Sequence, residues 1–437
     1  MSGQEIGLAA VIVLLALIGL GMPIGIGMLA VSLVGVAAIR SPEVALRMIG
    51  AVANDSLREY LFAVVPLFVL MGMLVTVSGV GKDTFDLFER ALRRVQAGLG
   101  VATVFANAVF ASITGISIAS ASVFARIAVP EMTRHGYRKS FATGVVAGSS
   151  VLGMLIPPSL LMIVYAVLAE VSVGRMFLAG VGPGVLLALA FAATILVLAR
   201  LFPGAVFAAR ESRPQTAGLT LLSVCGKGGP IVALVLLVLG GLYGGFLNPT
   251  EAGAVGALGA LVIAALRRSL RGRVLWSLLV ETGQITVSVL FLIMAASFFS
   301  RMLAMSGLPA GLAELLLDSA IGPYGFLVLY LALVVLLGCL IDSISIMLIL
   351  LPVALPIARA AGFDLIWFGL LTVFTVEIGL LTPPFGLSVY TIKVALGDDS
   401  LKIGDIFAGA LPFVAAMLGT LVLLVLFPPI ATWLALR

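Results

Sequence analysis

Twelve apolar segments separated by turn signals fill most of the chain, and they constrain its fold more than any other feature. Their approximate ranges are 6–20, 23–39, 61–79, 98–134, 138–169, 176–201, 229–247, 250–266, 278–305, 322–357, 364–396 and 406–436. A helix needs about 20 apolar residues to cross the hydrocarbon core of a bilayer. The chain is only 10% charged, whereas soluble domains are about 25% charged. We therefore predict an all-α polytopic membrane protein.

Two of the segments are too long for one crossing and carry polar or glycine-containing stretches in the middle. Segment 98–134 is interrupted by residues 112–117 (SITGIS), and segment 322–357 by residues 340–345 (LIDSIS). A single helix over either segment would be about 50 Å long, well beyond the bilayer core of about 30 Å. We predict two re-entrant hairpins, each of which enters and leaves the membrane on one side.

Two further segments contain a Pro-Pro pair. Segment 138–169 includes residues 153–159 (GMLIPPS), and segment 364–396 includes residues 379–386 (GLLTPPFG). Proline lacks a backbone N–H and disfavours helical geometry in the residue before it. We expect both helices to be unwound at these residues.

The four interruptions follow the same order in each half of the chain, which indicates an internal repeat. An offset of 226 residues aligns Pro23 with Pro249, Gly27 with Gly253, Ser117 with Ser343, Pro130 with Pro356, Gly136 with Gly362, Gly153 with Gly379, and Pro157-Pro158 with Pro383-Pro384. We predict two repeats, residues 1–227 and 228–437, each with five crossings (one of them a broken helix) and one hairpin. Because five is odd, the second repeat is inverted, a pattern typical of secondary transporters.

Loop charge predicts the orientation. Of the 25 Lys and Arg residues, 17 fall in loops on the side reached after the first helix, here called side X, and 7 on the opposite side. Cytoplasmic loops are enriched in Lys and Arg. Side X is therefore predicted to be cytoplasmic and the N-terminus periplasmic.

Two acidic residues lie inside apolar segments of the second half, where a charge is costly. Asp342 is in the hairpin break, and Glu377 precedes the Pro-Pro break. With nearby hydroxyls and freed carbonyls they form an oxygen-only ligand set, which suits Na⁺. The candidate ligands are Asp342, Ser343, Ser345, Glu377, Gly379 and Thr382. Alternatively, either carboxylate holds the hairpin tip through backbone N–H bonds.

The first half offers an uncharged counterpart at the equivalent breaks. Its candidate cation ligands are Ser112, Thr114, Ser117, Gly153, Ile156 and Ser159. The alternative for each hydroxyl is a bond to the carbonyl about one turn earlier in the same helix, as serine and threonine commonly make.

Helix N-termini at the two tips would favour an anionic substrate. The candidate substrate contacts are Arg126, Ser117, Pro157 and Pro383. Arg126 is a possible counter-charge for the anion, and the alternative is that its side chain extends toward the cytoplasm.

Histidine and cysteine usage excludes several classes of site. His135 is the only histidine, and Cys225 and Cys339 share no local motif. No transition-metal site, disulfide framework or catalytic triad is predicted, and we interpret the chain as a non-enzyme. An ion channel remains an alternative that accumulation of substrate against a gradient would exclude.

The sequence resembles a known family, the DctM-type large membrane subunit of tripartite ATP-independent periplasmic (TRAP) transporters, within the ion-transporter superfamily. The resemblance spans essentially the whole chain. It rests on the stretches Pro66-Leu67-Phe68 with Gly72, Pro130-Glu131-Met132 through Tyr137, Gly153 to Ser159 with Tyr165, Gly182-Pro183-Gly184, Tyr243-Gly244-Gly245, Pro249 to Gly253, Asp342, Pro352 with Pro356, and Glu377 to Gly386. Two positions depart from the family pattern: Ile116 separates Gly115 from Ser117 at the first tip, and Thr375 stands where asparagine is frequent.

The resemblance implies Na⁺ as the coupling ion, no organic cofactor, and an elevator motion of a hairpin-bearing transport domain against a scaffold. It also implies a location in the bacterial inner membrane and two partners. These are a small four-helix membrane subunit (DctQ type) and a periplasmic substrate-binding protein (DctP type). The predicted function is the large permease subunit of a Na⁺-coupled secondary transporter that imports a dicarboxylate, sialic acid or a similar carboxylate. The alternative is a stand-alone Na⁺/anion symporter of the same superfamily.

Overall fold

Helices make up the regular structure in the part of the chain that the computed structural model describes, residues 2–208, 224–317 and 321–435. Before residue 208 the helices are α1 (Gly3–Gly19), α2 (Ile24–Ile39), α3 (Pro42–Arg58), α4 (Val64–Val77), α5 (Val80–Leu92), α6 (Gly98–Thr114), α7 (Ser117–Arg134), α8 (Lys139–Ser150), α9 (Leu152–Leu155), α10 (Leu160–Ala169), α11 (Val173–Leu201) and α12 (Pro203–Val206). After residue 224 they are α13 (Gly229–Val235), α14 (Gly241–Tyr243), α15 (Pro249–Leu266), α16 (Gly272–Ser306), α17 (Leu308–Leu317), α18 (Gly322–Gly338), α19 (Ser343–Ala360), α20 (Leu365–Gly379), α21 (Leu387–Leu396), α22 (Ile403–Leu426) and α23 (Pro429–Thr432), with π-helical turns at Val224–Gly228 and Leu236–Gly240.

Seven of the described helical stretches are long and apolar enough to cross a membrane. The number is eight if α4 and α5, which are bent by 64° at their junction, form one span. The prediction of an all-α polytopic membrane protein is confirmed.

The helices are interrupted at all four predicted breaks. Residues 115–116 separate α6 from α7, and residues 339–342 separate α18 from α19. The Pro-Pro stretches lie in the gaps between α9 and α10 and between α20 and α21. The tip residue Gly115 has φ +64°, a left-handed conformation that favours glycine. Local sequence chemistry therefore accounts for where the helices end.

Three described helices of ten residues or more lie outside the predicted apolar segments: α3, α5 and α17. Helix α3 begins with Ser41 as N-cap, whose hydroxyl accepts a hydrogen bond from the Val44 N–H, and Pro42 follows at the first helical position. Both are standard helix-start signals. A search for apolar length misses such helices because their surfaces are partly polar.

The helices pack in two groups. The first contains α1 to α4 with α15, α16 and α17, and the second contains α6 to α11 with α18 to α22. Contacts between the groups run mainly from α4 to α6 and α10, and from α16 and α17 to α19. All four breaks lie in the second group.

The closest packing within the second group joins the two halves of the chain. Helix α8 meets α22 at Gly144 and Gly409, where an added Cβ on either glycine would fall closer than 3.0 Å to backbone atoms of the other helix. One turn further along α8, Gly148 lies against the ring of Phe413. Small residues allow helix backbones in a membrane to approach in this way.

Ionic and polar contacts between distant segments join loops that the sequence assigned to the same side. On side X the pairs are Lys139 with Asp398, Lys227 with Asp86, and Arg267 with Asp83; on the opposite side they are Arg301 with Asp55, and Arg359 with the Ala169 carbonyl. Arg210, Arg213 and Arg437, which also entered the charge count, lie outside the described residues. The described contacts are therefore consistent with the sidedness used in that count.

Candidate functional site

In the first half, the hairpin tip touches the Pro-Pro break. The carbonyl oxygen of Gly115 accepts a hydrogen bond from the N–H of Leu160 at 3.3 Å. A Cβ on Gly115 would lie 2.5 Å from the carbonyl oxygen of Pro158, and one on Gly153 would lie 3.2 Å from the Ser117 nitrogen. Gly115 is therefore needed for tip and break to meet, and Gly153 allows a close approach of the two.

The second half repeats this arrangement. The N–H of Phe385 donates to the carbonyl of Cys339 at 3.3 Å. A Cβ on Gly379 would lie 2.5 Å from the Cα of Gly338. The Pro157-Pro158 and Pro383-Pro384 peptide bonds are both cis. The structure thus brings tip and break together in each half.

Most of the predicted hydroxyl ligands of the first half also bond to nearby carbonyls. The Ser112 hydroxyl donates to the Val109 carbonyl at 2.7 Å, and that of Thr114 to the Phe110 carbonyl at 3.2 Å. Ser159 is the N-cap of α10 and donates to the Met154 carbonyl at 2.6 Å. These bonds match the alternative stated for such hydroxyls, although each oxygen keeps lone-pair capacity for a cation.

Ser117 behaves differently from the other tip hydroxyls, because its partner lies in the second half of the chain. Its Oγ donates to Oε2 of Glu377 at 2.7 Å, across 260 residues of sequence. Both side chains are fully buried. The other carboxylate oxygen of Glu377, Oε1, has no hydrogen-bond partner among the described residues. The two halves therefore meet at a buried and incompletely satisfied carboxyl group.

The surroundings of Glu377 do not neutralise a negative charge. No ion pair in the described chain involves this carboxyl. Ser117 is the first residue of α7, and a helix N-terminus stabilises an anion by at most about 2 kcal/mol. Removing an ion from water costs several kcal/mol even after relaxation. The helix N-terminus therefore does not offset the cost of burying an ionised carboxylate, and a bound cation or protonation of the carboxyl would remove the deficit.

Asp342 occupies a different environment from Glu377. It is the N-cap of α19, where its Oδ1 accepts from the Ser345 N–H at 3.1 Å and its Oδ2 accepts from the Ser345 hydroxyl. Its side chain is exposed, whereas Ser343 and Ser345 are buried. The carboxylate therefore holds the second tip, which was the stated alternative, and its exposed face remains open to a ligand.

Comparison with known proteins identifies the family. The profile described as "Tripartite ATP-independent periplasmic transporter, DctM component" matches residues 11–430. The chain belongs to this family. The resemblance inferred from the motifs is thereby confirmed, and the DctM family is one of transporter permeases and not of enzymes.

Two relatives and one solved structure illustrate the similarity. The chain is 32% identical over 378 residues to the "C4-dicarboxylate TRAP transporter large permease protein DctM" of Pseudomonas aeruginosa, which covers 86% of each chain. It is 29% identical over 425 residues to the "Sialic acid TRAP transporter large permease protein SiaM" of Vibrio cholerae, covering 95% of each. The fold resembles the Alcanivorax borkumensis YdaH transporter with a TM-score of 0.54 at 17% identity, over 85% of this chain and 86% of that one.

Among the remaining site candidates of this DctM-family chain, Arg126 lies away from the tips. It is nine residues beyond Ser117 on α7, which corresponds to about 13 Å of helix. Its exposed side chain lines a pocket of about 510 Å³ whose other charged residues are Lys82, Asp86, Glu89, Arg90 and Glu131. This position agrees with a side chain that extends from the tips toward side X.

Pro157 is buried and Pro383 exposed, so the two breaks differ in accessibility.

One buried polar cluster of this DctM-family chain was not predicted from the sequence. Asn107 donates to the Ser149 hydroxyl at 2.8 Å and accepts a hydrogen bond from Ser120, and all three residues are buried. The signal was present, because an asparagine within an apolar membrane segment requires a partner. The cluster ties α6, α7 and α8 together directly behind the first tip.

The remaining candidate backbone and hydroxyl positions also lie at the breaks. Ile156 contacts Gly184 of α11, where a Cβ would approach its side chain to 2.7 Å. The Thr382 hydroxyl donates to the Ile378 carbonyl at 2.7 Å. The second break is therefore partly satisfied by its own helix end.

Proposed function

We propose that this DctM-family permease couples the inward movement of Na⁺ to the import of a small organic anion. The observation that carries the proposal is the buried Glu377 oxygen Oε1, which has no hydrogen-bond partner among the described residues, beside Ser117 at the tip that the first break contacts. Oxygen-only surroundings with one formal charge suit a hard monovalent cation. Discontinuous helices supply such sites in secondary transporters.

The proposed ion sites are the two places where tip meets break. The first comprises Ser112, Thr114, Ser117, Gly153, Ile156 and Ser159, and the second comprises Asp342, Ser343, Ser345, Glu377, Gly379 and Thr382. In both sites the tip begins a helix, α7 or α19, whose N-terminus favours an anion nearby. The arrangement supports binding of cation and carboxylate substrate side by side.

The substrate class follows from the relatives together with these helix ends. Relatives carry names that specify C4-dicarboxylate and sialic acid as their substrates, and both molecules bear carboxylates. We therefore propose a carboxylate-bearing anion, delivered by a DctP-type periplasmic binding protein to a complex of this chain with a DctQ-type subunit.

Reconstitution tests this function. In proteoliposomes that contain this chain with its DctQ-type subunit, we expect uptake of a labelled carboxylate only when an inward Na⁺ gradient and the DctP-type protein are both present. The measurement is accumulated label against time with Na⁺ or K⁺ outside. Uptake that needs Na⁺ but no binding protein would support the stand-alone symporter, and uptake without Na⁺ would contradict the proposal.

We also propose the inverted-repeat topology, with side X in the cytoplasm. Cysteines introduced at Arg94 and Arg268, both exposed on side X, should not react with a membrane-impermeant thiol reagent in intact spheroplasts. A cysteine at Pro323, exposed at the start of α18, should react. The background should lack Cys225 and Cys339, and lysed spheroplasts provide the control for reagent access. Labelling of all three positions in intact spheroplasts would overturn the topology.

A further inference from the structure

The first tip lacks an acidic residue of its own. Residues 112–117 and 153–159, which form the tip and break of the first half, contain no Asp or Glu. The carboxylate that touches this tip is Glu377, whose Oε2 lies 2.7 Å from Ser117 Oγ. Glu377 belongs to α20 of the second half. We propose that Glu377 supplies the negative charge of the cation site at the first tip, so that both halves build this one site.

The orientation of the two acidic residues favours this division. Asp342 keeps to its own tip through two hydrogen bonds to Ser345. Glu377 makes no described side-chain hydrogen bond to the second tip, and its one described side-chain hydrogen bond runs to the first. The sequence repeat would assign both carboxylates to the second site, whereas the contacts assign one to each tip.

The unsatisfied oxygen of Glu377 is the observation that points to a ligand. Oε1 is buried and has no hydrogen-bond partner among the described residues, a condition that native proteins rarely leave uncompensated. The charged residues on helices that pack against α20 lie toward helix ends or pair elsewhere: Arg175 and Arg200 of α11, Arg359 of α19 and Asp405 of α22. A cation bound by Glu377 and Ser117 would satisfy the carboxylate.

This inference rests on the proposed Na⁺ coupling and is tested separately from it by binding. Equilibrium binding of radioactive ²²Na⁺ would be measured on the purified protein for wild type, Ser117→Ala, Glu377→Gln and the double variant. We expect each single change to raise the half-saturating Na⁺ concentration at least tenfold. The double variant should be no weaker than the weaker single variant, because both changes remove one site.

The control is Ser32→Ala, which removes a buried hydroxyl in α2 whose one described hydrogen bond runs to the Met28 carbonyl; its Na⁺ curve should match wild type. Ser117→Ala is a small change that keeps the test valid if Glu377→Gln folds poorly. Wild-type Na⁺ binding with unchanged curves in both single variants would overturn the shared site while leaving Na⁺ coupling intact. That outcome would also indicate that Glu377 simply retains a proton. Absence of Na⁺ binding in wild type would overturn both proposals.

Discussion

Replacement of Gly144 by valine should abolish the folded protein. A Cβ at this position would fall closer than 3.0 Å to the carbonyl group of Gly409 and the nitrogen of Ala410. These are backbone atoms that cannot rotate away, so α8 and α22 would have to separate. We expect the free energy of unfolding to fall by more than about 4 kcal/mol, which is at the upper end of the effects of single substitutions and reflects severe overpacking. The measurement is the yield of monodisperse protein from detergent extracts of the membrane.

A glycine on the same helix pair provides the control. Gly419 of α22 has open space where a Cβ would be, so Gly419→Val should leave the yield close to wild type. Gly409→Val should fail as Gly144→Val does, because its Cβ would meet the Ser140 carbonyl. Equal yields for all three variants would show that the two helices do not pack as described.

Substitution of Asp342 by asparagine should lower Na⁺-driven uptake at least tenfold without loss of folded protein. Asparagine and aspartate are about equally effective as N-caps, so the bond from the Ser345 N–H can be kept while the charge is removed. The change therefore separates ion binding from the capping role. Uptake would be measured against Na⁺ concentration and normalised to folded protein.

Two uncharged neighbours calibrate this result. Ser343→Ala and Thr382→Val each remove one oxygen of the proposed second site, and each should raise the half-saturating Na⁺ concentration by a smaller factor than Asp342→Asn. If Asp342 serves only as a cap, its asparagine variant will keep the wild-type Na⁺ curve. Unchanged curves in all three variants would exclude this site while leaving the transporter function in place.

The sequence was most informative where local chemistry decides the backbone. Two Pro-Pro pairs and the glycine of the first tip determine where helices end, and those breaks were predicted to within a few residues. The pairing of tip with break in each half followed from their equivalent positions. Helices α3 and α5 were missed because both carry charged residues and neither contains an apolar run long enough to span a membrane.

Contacts between the halves could not be predicted. Ser117 and Glu377 are 260 residues apart, and an internal offset aligns positions of the two halves without stating how closely the halves approach. Asp342 shows the converse problem, since an acidic residue in an apolar segment has the same sequence signature whether it binds an ion or caps a helix. Only the three-dimensional contacts distinguish its surroundings from those of Glu377.

The hydrogen bonds from the Leu160 N–H to the Gly115 carbonyl and from the Phe385 N–H to the Cys339 carbonyl lower the entropic cost of binding an ion. Each break is hydrogen-bonded to the tip it faces before an ion binds, so few backbone torsions become ordered on binding. Ordering a backbone residue costs about 1–2 kcal/mol at room temperature, and binding avoids this cost where the loop is ordered beforehand. We expect amide hydrogen exchange at Leu160 and Phe385 to be slow with or without Na⁺. Conformational entropy then contributes little to discrimination between cations, and ligand geometry contributes most of it.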